Sequence, residues 1–370
     1  MAERRSRYTD AGVDYGKVDP QKVSAQAAAR ETASALQKLG FDEVAASRGE
    51  SAYVVDVGPF YLASITECLG TKALIADAMR EQTGRSFYDA IARDTLAAAV
   101  NDLITVGALP ISVHAYWSVG SASWFEDTQR VADLIRGWKE TCVEFGVSWG
   151  GGETPVLNGV VVPGSIDLAA SCVGIIDPKS RITLGDALAP GDAIVVLEST
   201  GIHANGVSLA RQLATSLPGG FAEKIDDGRS FGEALLDPTQ IYSKVMSAVY
   251  AAGVSPHYCV NVTGHGWRKL MRFGGPFTYR FHTLPRVPPV LAFLQRRAAL
   301  DAREAYGTFN MGAGFAVFVR PQDAETVVRA ARSCGVEALL AGTVEQGPKR
   351  VILEPLNLEY GADELQLRDA

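Results

Sequence analysis

Gly150-Gly151-Gly152-Glu153-Thr154 is the stretch around which the other unusual segments of this sequence can be arranged. Three consecutive glycines cost backbone entropy and add nothing to a core. They suit a place where the main chain bends sharply or approaches a ligand closely, and a carboxylate follows at once. The stretch therefore indicates a bend or a ligand-binding position near the end of the first half.

Three distant clusters have the same character, and they are Thr66–Lys72, Asn101-Asp102 and Ser199–Gly206. Backbone N–H donors, carboxylates, an amide and one lysine are the groups that hold phosphates together with a divalent metal. Our hypothesis from these residues is an ATP site assembled from segments that are far apart in the chain.

Length and composition bound the class of protein. A chain of 370 residues predicts two domains of roughly 150–200 residues each. It is 47% apolar and 21% charged, with a net charge of −7 and a pI near 5.4, which argues against a nucleic-acid partner. No apolar run approaches the roughly 18 residues of a membrane span, and no apolar stretch follows the basic start as in a signal peptide.

The cysteines indicate a reducing compartment. There are five, an odd number, scattered at positions 68, 142, 172, 259 and 334 without a CxxC pair. This usage predicts reduced thiols in a cytoplasmic protein and argues against a zinc site.

The segment from Tyr61 to Arg80 reads as strand, turn and helix. Tyr61–Thr66 predicts a strand, the turn contains Gly70-Thr71-Lys72, and Ala73–Arg80 predicts a helix. A lysine at such a turn resembles a phosphate loop. The spacing GxxxxGK[ST] is absent, so the P-loop motif itself is excluded.

Ser86–Gly107 is the longest helical pattern of the first half, and its later turns are apolar except for Asn101 and Asp102. A buried carboxylate is costly unless it is paired or bound to a metal, so Asp102 is a metal-ligand candidate. The alternative is an exposed helix edge. Asp94 lies on roughly the same face and is either a second acid or a surface group. His114, within a predicted strand, is more often a core residue than a functional one.

A linker at Asp177–Ser180 divides the chain. We predict an N-terminal ATP- and metal-binding domain, residues 1–178, and a C-terminal domain, residues 179–370, that completes the substrate and phosphate site. The class is α+β, with helices covering a mixed sheet in the second domain. There Ser199–Gly206 follows a strand and opens a helix at Asn205, which presents backbone donors and a positive dipole end to an anion. His203 and Asn205 are the expected side-chain contacts.

Together these motifs resemble the aminoimidazole ribonucleotide synthetase family, also called phosphoribosylformylglycinamidine cyclo-ligase, over nearly the whole chain. The most specific segments are Tyr8–Asp14, Val100–Leu103, Gly151–Thr154, Gly201–Leu209, Leu236–Tyr242 and Thr308–Gly312. The resemblance implies an ATP- and Mg²⁺-dependent ligase of purine biosynthesis. Its substrate would be formylglycinamidine ribonucleotide, closed to aminoimidazole ribonucleotide through an iminophosphate. It also implies a homodimer formed through the strands of the first domain.

The resemblance further implies roles for individual residues. The magnesium ligands would be Glu67 and Asp102. Nucleotide and phosphate would be held by Lys72, Thr71, Asn101, Gly151, Gly152, Gly201, Asn205 and Gly206. The catalytic residues would be His203, Glu153 and Lys72, with His203 as the candidate for proton transfer near neutral pH.

The sequence departs from the family pattern in four places, one of which is the lack of a glycine-rich segment before the first strand. Glu67-Cys68 replaces the usual Asp-Gly, Pro155–Gly159 lacks a second glutamate, and His265 stands where a glycine is usual. Two other functions remain open: another phosphoryl-transfer enzyme of the same superfamily, or a catalytically weak nucleotide-binding paralogue. The presence of Lys72, Asn101, Asp102 and Glu153 argues against the weak paralogue.

Overall fold

The computed structural model describes residues 14–365 and 367, and it contains two β-sheets with helices packed on them. The first sheet uses residues 42–176 and the second uses residues 193–361. The predicted α+β class is therefore confirmed. The predicted domain boundary after residue 178 falls between the two sheets and stays a prediction. The Tyr8–Asp14 motif lies outside the described residues apart from Asp14.

The first sheet has the strand order β1-β2-β3-β6-β4-β5, and its neighbours are antiparallel except for the parallel pair β4 and β5. Its strands are β1 (Asp42–Glu43), β2 (Tyr53–Asp56), β3 (Tyr61–Cys68), β4 (Leu109–Val119), β5 (Ser148–Glu153) and β6 (Ile166–Ile176). The helices of this half are α1 (Tyr15–Arg30), α2 (Ser34–Gln37), α3 (Ala73–Thr83), α4 (Tyr88–Leu103) and α5 (Thr128–Phe145).

One face of the first sheet is covered by α4, which packs against β3 and β6. Burial along β6 alternates with the period of two that a half-covered strand requires. Most of α4 is buried, and its alanines let the helix approach the sheet closely. Asp94, Asn101 and Asp102 are buried with it, so three polar side chains of this helix must find partners inside the protein.

The second sheet has the order β13-β12-β9-β11-β7-β10-β8 and is mixed, because β12 and β9 are parallel while the other neighbours are antiparallel. Its strands are β7 (Ala193–Glu198), β8 (Tyr258–Asn261), β9 (Phe277–Phe281), β10 (Ala313–Val319), β11 (Ala338–Gln346), β12 (Arg350–Leu353) and β13 (Leu358–Gly361). The helices are α6 (Val207–Ser216), α7 (Phe231–Leu235), α8 (Ser243–Ala251), α9 (Pro289–Arg297), α10 (Ala302–Thr308) and α11 (Ala324–Ser333). Every residue of β10 is buried, which its unbroken apolar and glycine sequence requires.

One expectation about the elements is wrong. The three valines at 160–162 have the sequence of a short strand, but they lie in a loop in which Val160 is 80% exposed. The glycine run, for which the sequence predicts either a bend or a close approach to a ligand, forms the edge strand β5, where its backbone bonds to β4 with a shift in register. Among the helices within the described ranges, none is long and apolar enough to cross a membrane.

Candidate active site

A cleft of about 330 Å³ opens between the two halves of the molecule. The first half contributes side chains from α1, from the end of β3 and from the last turns of α4. The second half contributes the 203–205 turn, the end of β8 and a 3₁₀ helix, Gly266–Met271. The lining residues used below are Glu67, Asn101, Asp102, His203, Asn205, Thr239, Asn261, Thr263, Lys269 and Arg272.

Asp102 lies in the wall of this cleft and is only 7% exposed, so the alternative of an exposed helix edge is wrong. Its Oδ1 accepts a hydrogen bond of 2.7 Å from Nδ2 of Asn261. The ammonium of Lys269 lies 3.7 Å from the same oxygen. Both partners come from the second half of the chain, so the buried charge is stabilised across the cleft.

Glu67 extends into the cleft from the penultimate position of β3, and its pKa is raised to about 7. Burial is the largest cause and the negative charge of Asp102 is the next, while Lys269 and Arg272 act in the opposite direction. A carboxyl group held in this way can take up either a proton or a cation near neutral pH.

The pair Glu67 and Asp102 fits a magnesium ion that also binds a ligand. Within the described part of the chain, no group of three His, Cys, Asp or Glu side chains is arranged to hold a metal. Magnesium commonly uses one or two carboxylates, waters and substrate phosphates, and does not need an all-protein cage. Burial and, next, repulsion by Asp102 raise the pKa of Glu67, and a bound divalent cation would offset both.

The predicted phosphate contact of Lys72 needs correction. Its side chain is completely buried, and its Nζ lies 2.6 Å from the carboxylate of the equally buried Asp94. Nζ also donates to the backbone oxygen of Asp237 at 3.1 Å. The ammonium therefore does not face the cleft, and Asp94 is an internal partner and not a surface group. Thr71 precedes this lysine, and its buried hydroxyl has no hydrogen-bond partner among the described residues.

His203 lines the cleft as predicted, but its proposed proton transfer near neutral pH needs correction. Burial, with the charge of Lys72 as a second cause, lowers the pKa of His203 to about 3. Its Nε2 accepts a hydrogen bond from the backbone N–H of Thr200 at 3.3 Å. The imidazole is therefore neutral at pH 7 and offers hydrogen bonding, not a charge.

The glycines around His203 hold the turn in place and are not among the described lining residues. Gly206 has φ of 78° and immediately precedes α6, and a Cβ there would come 2.2 Å from the ring of Phe309. The backbone oxygen of Gly201 accepts a hydrogen bond from Asn310 at 2.9 Å. Asn205, between them, does line the cleft. The helix predicted to open at Asn205 begins at Val207, and anion binding by this turn stays a prediction.

The glycine run and Glu153 do not contribute to this cleft within a single chain. Gly151 has φ of 122°, and Gly152 lies so close to β4 that a Cβ would meet the oxygen of Ala115 at 2.0 Å. Glu153 is exposed at the end of β5. His114 is exposed beside Gly150, so its expected core position is wrong. The glycines permit close strand pairing, which the sequence pattern alone does not distinguish from a ligand contact.

Asn101 lines the cleft, but both ends of its amide are already bonded. Its Nδ2 donates to the oxygen of Gln240 at 2.8 Å, and its Oδ1 accepts from the N–H of Tyr242 at 3.0 Å. Its role in this structure is to fasten a segment of the second half to α4.

Sequence reasoning missed the cations of the second half. Lys269 and Arg272 line the cleft, and Lys269 donates to Thr263 Oγ1 at 2.7 Å. The sequence feature that could have indicated them is the glycine-rich turn Thr263–Trp267, which follows a strand. Lys269 and Arg272 come after this turn. Nε2 of His265 in that turn is 3.0 Å from the carboxylate of Asp19 in α1. The histidine that stands in place of the usual glycine therefore makes a contact between the two halves.

Comparison with known proteins shows the family to which the chain belongs. Residues 49–176 match the model of the AIR synthase related protein N-terminal domain, and residues 189–354 match that of its C-terminal domain. A phosphoribosylformylglycinamidine cyclo-ligase of Methanococcus maripaludis is 32% identical over 344 residues, which are 91% of this chain and 92% of that protein.

Solved structures share the fold at lower identity. A hydrogenase maturation protein, HypE in complex with ATP, has a TM-score of 0.59 and 18% identity, covering 82% of this chain and 84% of that one. PurL of T. maritima complexed with FGAR has a TM-score of 0.58 and 17% identity, covering 85% of this chain and 47% of that one. From the two domain matches and the near full-length relative, this chain belongs to the AIR synthase related protein family.

Proposed function

We propose that this chain is an ATP-dependent cyclo-ligase that converts formylglycinamidine ribonucleotide to aminoimidazole ribonucleotide in purine biosynthesis. The observation that carries the proposal is the near full-length match to a relative named phosphoribosylformylglycinamidine cyclo-ligase. A cleft that combines three carboxylates with three lysine or arginine side chains supports it, because phosphoryl transfer requires both metal ligands and charge neutralisation.

The reaction needs the formyl amide oxygen to become a leaving group. Phosphorylation of that oxygen would give an iminophosphate, the amidine nitrogen would attack the same carbon, and phosphate would leave as the ring closes. Bound ATP would supply the phosphoryl group and magnesium would neutralise its charge. The protein's own task is positioning and charge stabilisation.

The residues divide this task between the two halves. Glu67 and Asp102 would hold the magnesium ion. Lys269 and Arg272 would take the phosphate-neutralising role that the sequence assigned to Lys72, since they line the cleft. His203, being neutral, would orient a substrate group by hydrogen bonding.

We further propose that the enzyme is a cytoplasmic homodimer formed through the first sheet. The face of that sheet opposite α4 is only half-buried and carries apolar side chains such as Leu62, Val173 and Ile175. The five cysteines are free, as a reducing compartment requires. In sedimentation, the wild-type chain should have the mass of a dimer and Val173→Glu that of a monomer; a monomeric wild type would contradict this arrangement.

The decisive experiment is ADP and phosphate release by the purified protein, with formylglycinamidine ribonucleotide present or absent. We expect release that depends on the ribonucleotide and equals the amount of aminoimidazole ribonucleotide formed. Release that another amide or acid stimulates instead would favour a different enzyme of the superfamily. Nucleotide binding without release would favour the weak paralogue.

A further inference from the structure

Lys72 and Asp94 form an ion pair whose two side chains are both completely buried. Lys72 ends the turn after β3, and Asp94 lies in the middle of α4. A buried ion pair contributes little net stability by itself, since both charges lose their hydration. Its presence therefore calls for an explanation in terms of what else the two groups hold.

Both partners also bind one segment of the second half, residues 237–242. Asp94 Oδ1 accepts two hydrogen bonds of 2.6 Å from Thr239, one from its N–H and one from its hydroxyl. Lys72 donates to the oxygen of Asp237. Two turns further along α4, Asn101 bonds to Gln240 and Tyr242. Arg93 Nε also donates to the oxygen of Thr239 at 3.4 Å, so four side chains of the first half hold this segment.

Residues 236–239 line two cavities and form part of their wall. Thr239 lines the cleft. Leu236, Asp237 and Pro238 line a second cavity of about 420 Å³. Ile241 and Tyr242 are buried in the core, so packing fixes the end of the segment, and the hydrogen bonds from α4 and Lys72 fix its part beside the cavities.

The end of the segment connects this wall to His203. The hydroxyl of Tyr242 donates to the oxygen of Glu198 at 2.9 Å. That hydroxyl lies directly over Gly314, where a Cβ would come within 1.7 Å of it and 3.1 Å from the ring of His203. A shift of residues 237–242 would therefore move a hydroxyl that shares the space over Gly314 with a lining side chain.

We propose that Lys72 and Asp94 are positioning residues that fix the 237–242 segment, and with it the Thr239 side of the cleft, across the boundary between the two halves. Replacing both charged residues by neutral ones, Lys72→Met together with Asp94→Asn, can test this. The asparagine that replaces Asp94 still offers an oxygen to Thr239. The inference rests on the proposed function only in the experiment that measures turnover. The hydrogen-exchange experiment does not depend on it.

The experiment compares Lys72→Met, Asp94→Asn and the double variant by amide hydrogen exchange of residues 237–242 in the protein without ligand. Each single variant leaves a buried charge without its partner. We expect at least tenfold faster exchange in each, and a return to within about threefold of wild type in the double variant. Lys179→Met is the matched control, since it breaks a 2.6 Å ion pair with Asp56 that is partly exposed and should not change this exchange.

Turnover gives a second readout. Misplacement of about 1 Å can cost on the order of 10²-fold in rate, so we expect Lys72→Met to lower kcat by that factor with little change in KM for ATP, and the double variant to recover most of it. Unchanged exchange in Lys72→Met would overturn the proposal. So would a double variant that binds an ATP analogue as poorly as the single one, because direct phosphate binding by Lys72 predicts that result. If Lys72→Met does not fold, Thr239→Val replaces it: faster exchange of residues 237–242 then supports the proposal, and unchanged exchange overturns it.

Discussion

Asp102 in the first half and Lys269 in the second half lie with their charged groups 3.7 Å apart in the wall of the cleft. Neither charge is otherwise well hydrated, since the two side chains are 9% and 6% exposed. Each half of the protein thus supplies the counter-charge for the other. If the proposed metal and phosphate bind here, the metal would meet Asp102 and the phosphate would meet Lys269. Ligand binding would then use the same two groups as the contact between the halves.

Asp102→Asn should abolish magnesium-dependent turnover, with a loss of at least about 10²-fold. It should also lower the free energy of unfolding by about 1–3 kcal/mol, because Lys269 keeps a buried charge without its nearest carboxylate. Turnover against magnesium concentration and urea unfolding measure the two effects. Asp226→Asn is the control, since that carboxylate is 59% exposed. Turnover of Asp102→Asn within a few-fold of wild type would exclude Asp102 as a metal ligand.

Glu67 predicts a pH dependence of stability. Its pKa in the folded protein is raised to about 7, above the value in the unfolded chain, so the folded state binds more protons between about pH 4.5 and 7. Its contribution to stability is therefore full at low pH and is lost as the pH rises to 7. Glu67→Gln should remove this loss.

The measurement is the difference in unfolding free energy between wild type and Glu67→Gln from pH 4.5 to 8. Wild type should lose on the order of 3 kcal/mol relative to the variant over this range. Magnesium with an ATP analogue at pH 8 should restore wild type but not the variant. A difference that is flat with pH would show that the carboxyl group titrates normally.

How much of the site the sequence could predict depends on whether the residues that a side chain contacts lie close to it in the sequence. The buried position of Asp102 was predictable because its neighbours along α4 are apolar. The pairing of Lys72 was not, because Asp94 lies 22 residues later in another element and Asp237 lies in the other half. The pattern of a lysine at a strand–helix turn is the same whether the ammonium meets a phosphate or a buried carboxylate.

The glycine run shows the same limit. Three glycines are compatible with a ligand loop and with an edge strand, and the choice is made by the register between Gly152 and Ala115. Lys269 was missed because it stands between Arg268 and Leu270 in a segment where apolar and basic residues are interspersed without a recognisable motif. Only the packing of that segment against Asp102 shows why a charge is there.

His203 predicts the opposite pH dependence to Glu67. Its pKa in the folded protein, about 3, is below that of an unfolded histidine, so the unfolded chain binds more protons between about pH 3 and 6.5. Its contribution to stability is present above pH 6.5 and is lost as the pH falls. His203→Gln should therefore be less sensitive to acid than wild type, by urea unfolding at pH 4 and 7. His282→Gln, at an exposed position, is the control and should follow wild type.

The dependence of turnover on pH checks the same assignment. It should show no inflection that disappears in His203→Gln, because such an inflection would mean that this imidazole does transfer protons.

Gly206→Ala tests whether the start of α6 is set by close packing. The residue has φ of 78°, which an alanine adopts at a cost, and its Cβ would also come 2.2 Å from the ring of Phe309. We expect a loss of about 2–4 kcal/mol, the sum of the backbone and overpacking terms. Gly253→Ala is a matched control, since Gly253 has the same φ of 78° but open space around its Cβ position. That variant should lose about 1–2 kcal/mol, the backbone term alone.

Urea unfolding of both variants separates the two terms, and calorimetry with an ATP analogue reports on the cleft. Because Asn205 precedes Gly206 and lines the cleft, the shift that relieves the contact with Phe309 should weaken nucleotide binding in Gly206→Ala but not in Gly253→Ala. Equal losses of stability in the two variants would show that Phe309 yields without resistance. In that case the ring does not fix the turn, and the hydrogen bond that Asn310 donates to the oxygen of Gly201 would be the contact that sets the position of Asn205.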